Sequence, residues 1–198
     1  GLKQRMPDVE WVPTGSMFAQ IRAAKTQEEV DCIVAAQRIA EGAFQHLMGM
    51  LTYDMTEIEV AAELEYYMKK NGSEKPSFDT IAVSGTASAR PHGVPRPVKL
   101  EKGFLTMDYG AVINGYHSDM TRTICIGKAD ETQKKLYHTV LQAQLAALDA
   151  AALGVKNADL DKVARDIIDA TEFKGGFGHS LGLEIHESPN ASSLNQNP

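Results

Sequence analysis

Two aspartates carry the strongest chemical signal in this chain. Asp108 and Asp119 lie in the stretch MDYGAVINGYHSDMTRT, on either side of Asn114-Gly115. An Asn-Gly pair between runs of β-forming residues predicts a two-residue type I′ hairpin turn, because both central residues need positive φ. With that turn, Gly110 stands opposite Asp119 and Asp108 opposite Thr121. Side chains alternate at period two, so both carboxylates emerge on one face as diagonal neighbours. Diagonal positions are roughly 7–8 Å apart at the backbone, within reach of a shared ion or of two ions about 3.5–4 Å apart. The blander alternative is a turn aspartate and an unrelated surface charge. Against it, Asp108 follows the apolar residues Phe104, Leu105 and Met107, and Asp119 lies in a β-forming run, where Asp is disfavoured. A buried carboxylate needs a cation or a partner.

The six histidines divide by context: His46, His92, His117, His138, His179 and His186. His46 and His138 fall in helical patterns and read as surface or core-edge residues. His117 shares its nominal strand face with Asp119 and is a candidate ligand, although a neighbour two residues along a strand often faces the next shell. His92 stands between Pro91 and Gly93, in a loop where glycine permits close backbone approach. His179 and His186 flank a glycine-containing apolar run. Glu187 after His186 does not make an HExxH zinc helix: the position three beyond Glu187 is Asn190, and Pro189 forbids the helix. Aspartate oxygens with the imidazole of His179 suit divalent Mn, Zn, Co or Fe better than calcium.

Composition bounds the class. At 198 residues, 43% hydrophobic and 23% charged, the chain is an ordinary globular protein with room for one sizeable core. A formal charge of -6 and the lack of a basic cluster exclude a non-specific nucleic-acid binder and leave small molecules or peptides as substrates. No stretch reads as a membrane segment. Two cysteines, Cys32 and Cys125, cannot form a disulfide framework and are expected as small core residues in a reducing, cytoplasmic compartment. The chain starts at Gly1 with no signal-peptide pattern, and Pro and Gly punctuate residues 1–15. That segment is expected to be a linker remnant from an upstream domain, with residues 16–198 forming the catalytic domain.

The elements that must position these residues follow from capping and periodicity. Thr26 with Glu29 opens a helix expected to end near Gly49, and Thr56 with Glu59 opens another that stops at Asn71-Gly72. A short strand is expected over Phe78 to Ser84, then a proline-rich loop from Gly85 to Lys99, then the hairpin. Asp130 with Gln133 begins a long helix expected to end at Gly154, and Asn157 begins a shorter one through Ile167 and Ile168. GFGHSLGLEIHE is then expected as a strand in the place that Phe78 to Ser84 held. Helix, helix, strand and hairpin followed by helix, helix and strand reads as an internal repeat whose second copy lacks its hairpin.

In combination, PSFDTIAVSG, the PHG at 91–93, MDYGAVINGYHSDMTRT and GHSLGLEIHESP resemble the creatinase and methionine aminopeptidase superfamily, peptidase family M24, with its pita-bread fold. The resemblance covers about residue 15 to the end and is nearest to Xaa-Pro aminopeptidases and Xaa-Pro dipeptidases (prolidases). It implies an α+β pita-bread fold of two pseudo-repeated helix–helix–strand–hairpin halves, the second incomplete. It also implies that Asp108, Asp119 and His179 are metal ligands, that His92 and His186 are catalytic or substrate-contacting, and that His117 is not a ligand. Ser180 stands where many members have glycine.

Members supply two further glutamate ligands from strands beyond the HESP segment, so the chain is expected to be a C-terminally truncated fragment with little or no activity alone. For the complete protein the resemblance implies two divalent metals, manganese foremost with Co, Zn or Fe as alternatives. It implies hydrolysis of an N-terminal Xaa-Pro bond through a metal-activated water, on peptides with proline second, by a homodimer. A methionine aminopeptidase-like enzyme and a non-catalytic pita-bread binding module are the alternatives. A creatinase-like amidinohydrolase is disfavoured, since it does not keep the metal ligands.

Overall fold

The structure, a computed structural model, describes residues 1–168 and 177–191. Four helices come first: α1 (Leu2–Arg5), α2 (Met17–Ala23), α3 (Gln27–Met50) and α4 (Glu57–Lys70). Strand β1 (Ile81–Ser84) leads through a 3-10 turn (Gly85–Ala89) and a loop into β2 (Gly103–Tyr109), β3 (Val112–Ile113), β4 (Tyr116–His117) and β5 (Met120–Ile126). Two helices, α5 (Glu131–Ala150) and α6 (Asn157–Arg165), precede the strands β6 (Gly178–Ser180) and β7 (Glu187–Ala191). The helix–helix–strand order thus recurs.

All three predicted capping boxes form. Thr26, Thr56 and Asp130 each accept from the backbone N–H three residues on, while Glu29, Glu59 and Gln133 reach back to the cap N–H. Each box satisfies two of the donors that a helix start leaves unpaired.

The Asp-bearing hairpin has the expected turn and register. Asn114 and Gly115 have φ of 50° and 80°, Asp108 pairs with Thr121, and Val112 pairs with His117. Between these pairings the arms stay bonded through the Ser118 N–H, which donates to the Ala111 carbonyl at 2.9 Å, while on the edge that β1 shares the Ser77 N–H donates to the Gly110 carbonyl at 2.9 Å and Pro76 bridges Ala111. A Cβ on Gly110 would lie 1.9 Å from the Ser118 carbonyl oxygen, so only glycine fits.

Strands β1, β2 and β5 form one antiparallel sheet in the order β1-β2-β5, and alternation gives it two unlike faces. Ala82, Leu105, Met107, Tyr109, Met120 and Ile126 join the main core against Ala36, Ala40, Ala43 and Leu47 of α3 and Val60, Leu64 and Met68 of α4. The three-and-four spacing of those helical residues is an amphipathic stripe, and its alanines let the helix lie close. The opposite face carries Ile81, Val83, Thr106, Asp108, Thr121 and Thr123, as the pairings require.

Four expectations are corrected. Strand β1 begins at Ile81 rather than Phe78: residues 77–80 stand between the Pro76–Ala111 and Ile81–Asp108 pairings, where the partner strand has only Tyr109 and Gly110, so the excess bulges out of the ladder. Helix α5 stops at Ala150, short of Gly154; Ala151 is extended, with ψ 113°, and Leu153 is fully exposed, so no burial holds a further turn. Helix α6 likewise ends at Arg165, although Ile168 still packs beside Ala143, Ala147 and Ala164. The expected single strand over GFGHSLGLEIHE begins at Gly176, outside the described residues; within the rest, Gly178–Ser180 form β6, a turn around Gly182 follows, and Glu187 opens β7, which pairs back antiparallel on β6. In addition, Cys32 and Cys125 are free but only half-buried, outside the core. Residues 1–20 are exposed throughout, and among the described residues no helix is long and apolar enough to cross a membrane.

Candidate metal centre

Asp108 leaves β2 on the sheet face away from the helices, and the Thr121 hydroxyl opposite donates to its Oδ1 at 2.9 Å. Asp119 precedes β5 by one residue on the same face. Burial pushes the Asp119 carboxyl above its ordinary range, and the neighbouring Asp108 charge pushes the same way, opposed by His179. The register argument is therefore met in space: the two carboxylates face each other, and their repulsion is what a cation would relieve.

His179 of β6 reaches the pair. Its Nε2 lies 3.4 Å from Asp119 Oδ2, and its Nδ1 is 3.0 Å from the Ser180 carbonyl oxygen. A carbonyl only accepts, so Nδ1 is the donor of that bond, which turns the ring so that Nε2 faces Asp119, the orientation a metal-ligating imidazole needs. The His186 ring packs on that of His179, with centroids 4.3 Å apart and planes tilted by 54°. The turn between them is tied to the aspartate hairpin by the His117 N–H, which donates to the Gly182 carbonyl at 2.8 Å.

The other histidines part ways. His117 is buried, with Nδ1 2.8 Å from the Ser77 hydroxyl, and burial lowers its pKa. Its imidazole serves the Ser77 segment that pairs along the outer edge of the hairpin. His92 is exposed on the loop before β2, in the left-handed region with φ 59°. His46 pairs with Glu63 at 2.6 Å and stacks on Tyr67 at the core edge, as expected, and His138 is exposed on α5.

Two glutamates to which the sequence assigned no role organise the surroundings. The Glu187 side chain is 5% exposed and held by Arg22 and, at 3.0 Å, by Lys25 of the segment after α2; it also accepts from the Glu184 N–H at 3.1 Å. It thereby anchors the histidine-bearing turn to the N-terminal helices. Burial opposes the charge on Glu187, but Lys25 and Arg22 outweigh it and lower the pKa. Glu57, fully buried at the start of α4, accepts from the Ser84 N–H at 2.7 Å and from Arg96 Nε at 2.9 Å. A glutamate in a helix's first turn reads as an ordinary favourable surface charge, so nothing local marked Glu57. For Glu187 the strand context was the available signal, because a strand carboxylate needs a partner.

Among the described residues no group of three or more His, Cys, Asp or Glu side chains is disposed to hold a metal ion. The donor chemistry nevertheless fits one in part: two repelling carboxylates beside an imidazole nitrogen form a hard–borderline set open to further ligands.

The chain belongs to metallopeptidase family M24, whose family model matches residues 31–198. An Xaa-Pro dipeptidase of Pyrococcus furiosus is 41% identical to it over 98% of this chain and 57% of the relative; one from Pyrococcus horikoshii is 40% identical over the same shares. Among solved structures, the X-Pro aminopeptidase of Thermotoga maritima superposes with a TM-score of 0.92 at 37% identity, covering 100% of this chain and 57% of that one. The prolidase of Pyrococcus furiosus gives 0.88 at 42%, covering 92% and 56%. The α+β pita-bread fold is shared with these proteins. The chain spans a little over half the length of the relatives it matches.

Proposed function

We propose that this chain carries the metal-binding hairpin and histidine strands of a peptidase that cleaves the bond between an N-terminal residue and a following proline. The observation that carries the reading is the convergence of Asp108, Asp119 and His179, with His179 Nε2 3.4 Å from Asp119, in a member of a metallopeptidase family. Asp108, Asp119 and His179 would hold divalent metal, with manganese foremost. Bound metal supplies Lewis acidity and a water acidic enough to attack a carbonyl at neutral pH.

The protein's own groups do the rest. The Thr121 hydroxyl and the Ser180 carbonyl orient Asp108 and His179, as outer hydrogen bonds do for ligands. His186, packed against His179, and His92, on the loop beside the same face, donate to the substrate carbonyl as it becomes an oxyanion, where preorganised donors lower the barrier. Residues 16–198 form the catalytic unit and residues 1–15, exposed throughout, a connecting segment. A cytoplasmic setting accords with the two free cysteines, and a homodimer is the assembly proposed for the complete protein.

The test is hydrolysis by the full-length gene product of Xaa-Pro dipeptides against matched Xaa-Ala and Met-Ala dipeptides, with manganese. Preference for proline and a His186→Ala variant that loses kcat with its metal content intact support the reading. Preference for Met-Ala would make it a methionine aminopeptidase, and metal lost with His186 would make that residue a ligand.

A further inference from the structure

The loop that carries His92 is closed at its base by one buried carboxylate. Glu57 Oε1 accepts from the N–H and hydroxyl of Ser84, at 2.7 and 2.8 Å, where the chain leaves β1. The same carboxylate accepts from the backbone N–H of Arg96 at 3.0 Å, and from its guanidinium at 2.9 and 2.6 Å, where the chain returns. Residues 85–95 are thus a closed excursion that carries His92 on its returning side. A second tie doubles the first: the Glu101 N–H donates to the Ser84 hydroxyl at 3.0 Å, and the Glu101 carboxylate takes Arg96 at 3.0 Å.

The excursion lies over the sheet face that bears the aspartates. Ala87 packs with Ile81 and Val83 in a small apolar cluster, and a Cβ on Gly93 would stand 2.9 Å from a Val83 methyl. Ile81 is paired directly with Asp108 and Val83 with Thr106, so these side chains share that face. Gly93 therefore seats the loop two residues along β1 from the position facing Asp108, with His92 immediately before it.

We propose that Glu57 and Arg96 are a positioning pair: by clamping both ends of the 85–95 loop they fix where His92 stands relative to Asp108, without touching substrate themselves. The proposal rests on the peptidase reading for its consequence in turnover and on the geometry alone for its consequence in the loop. A closed clip of this kind raises the free energy of local opening for the segment it spans, and a catalytic group displaced by an ångström loses rate steeply.

The test uses the full-length gene product with Arg96→Ala, Arg96→Lys and a Glu57→Gln/Arg96→Met pair that removes both charges should the single variants unfold. Amide hydrogen exchange in 85–95 is expected to quicken at least about tenfold in Arg96→Ala, with β2 and β5 amides unchanged and Arg96→Lys partly restoring protection. On an Xaa-Pro dipeptide, kcat is expected to fall about tenfold with KM little changed, and the effect should vanish in a His92→Ala background. Unchanged exchange in 85–95, or an Arg96→Ala effect that adds in full to His92→Ala, overturns the proposal. Lack of peptidase activity in the unaltered protein would overturn the function instead and leave the exchange result to decide the clip.

Discussion

The hydroxyl of Thr121 donates to Oδ1 of Asp108 across the β2–β5 pairing at 2.9 Å. This bond leaves the other carboxylate oxygen for a cation and fixes the rotation of the side chain. Thr121→Val keeps the shape and removes the donor. Manganese affinity, measured by titration calorimetry on the full-length gene product, is expected to fall about tenfold, with stability changed by no more than about 1 kcal/mol. Equal affinity would show that the hydroxyl does not orient a ligand.

Glu57 sets a pH dependence. Burial raises its pKa, but the bonds from Arg96 and Ser84 outweigh this and hold it at about 2, against an ordinary 4.5. Between those values the folded protein binds fewer protons than the unfolded chain. The contribution to stability is therefore complete above about 4.5 and lost as the pH falls toward about 2. Urea unfolding at a series of acid pH values should show a shallower loss of stability for Glu57→Gln than for the unaltered protein. Parallel curves would place the acid sensitivity elsewhere.

Glu187 is the counter-ion of two cations, Arg22 and Lys25, and Lys25 is itself only 12% exposed. Glu187→Ala removes the carboxylate that Lys25 faces, leaves Arg22 only the Glu184 carboxylate at 3.6 Å, and frees the histidine turn. A loss of about 3 kcal/mol in urea unfolding is expected. Lys25→Met should cost less, because Arg22 still answers the carboxylate. The reverse order would mean that Lys25, not Glu187, is the hub.

Gly110 has no room for a side chain, with the Ser118 carbonyl at 1.9 Å from its Cβ position. Gly110→Ala must shift one arm of the hairpin against the other, exactly where Asp108 and Asp119 meet. It is expected to destabilise by roughly 3 kcal/mol and to weaken manganese binding in whatever folds. Calorimetric melting and metal titration read the two effects, and normal binding would show that the register tolerates the shift.

Much of this was legible in the residues themselves. Asn114-Gly115 determines the turn by its need for positive φ, and the turn determines which residues oppose, so Asp108 facing Thr121 could be counted from the letters. Capping boxes at Thr26, Thr56 and Asp130 were equally local. What failed depended on partners distant in sequence. The start of β1 is decided by a bulge against Tyr109 and Gly110, and the end of α5 by the lack of anything to cover Leu153. The break between β6 and β7 reflects a Gly182 turn inside a run whose apolar residues gave no alternation. Glu57 and Glu187 took their meaning from Arg96, Arg22 and Lys25, none of which neighbours them in sequence.

The central claim is that Asp108, Asp119 and His179 together hold the metal on which peptide hydrolysis depends. Its most direct test is metal content, measured alongside Xaa-Pro dipeptide hydrolysis, for the full-length gene product and its Asp119→Asn variant. The account predicts manganese-dependent hydrolysis that chelation abolishes, and an Asp119→Asn protein that folds but loses metal and at least about a hundredfold in kcat/KM. Hydrolysis indifferent to chelation, or an Asp119→Asn variant that keeps its metal and its rate, would contradict it.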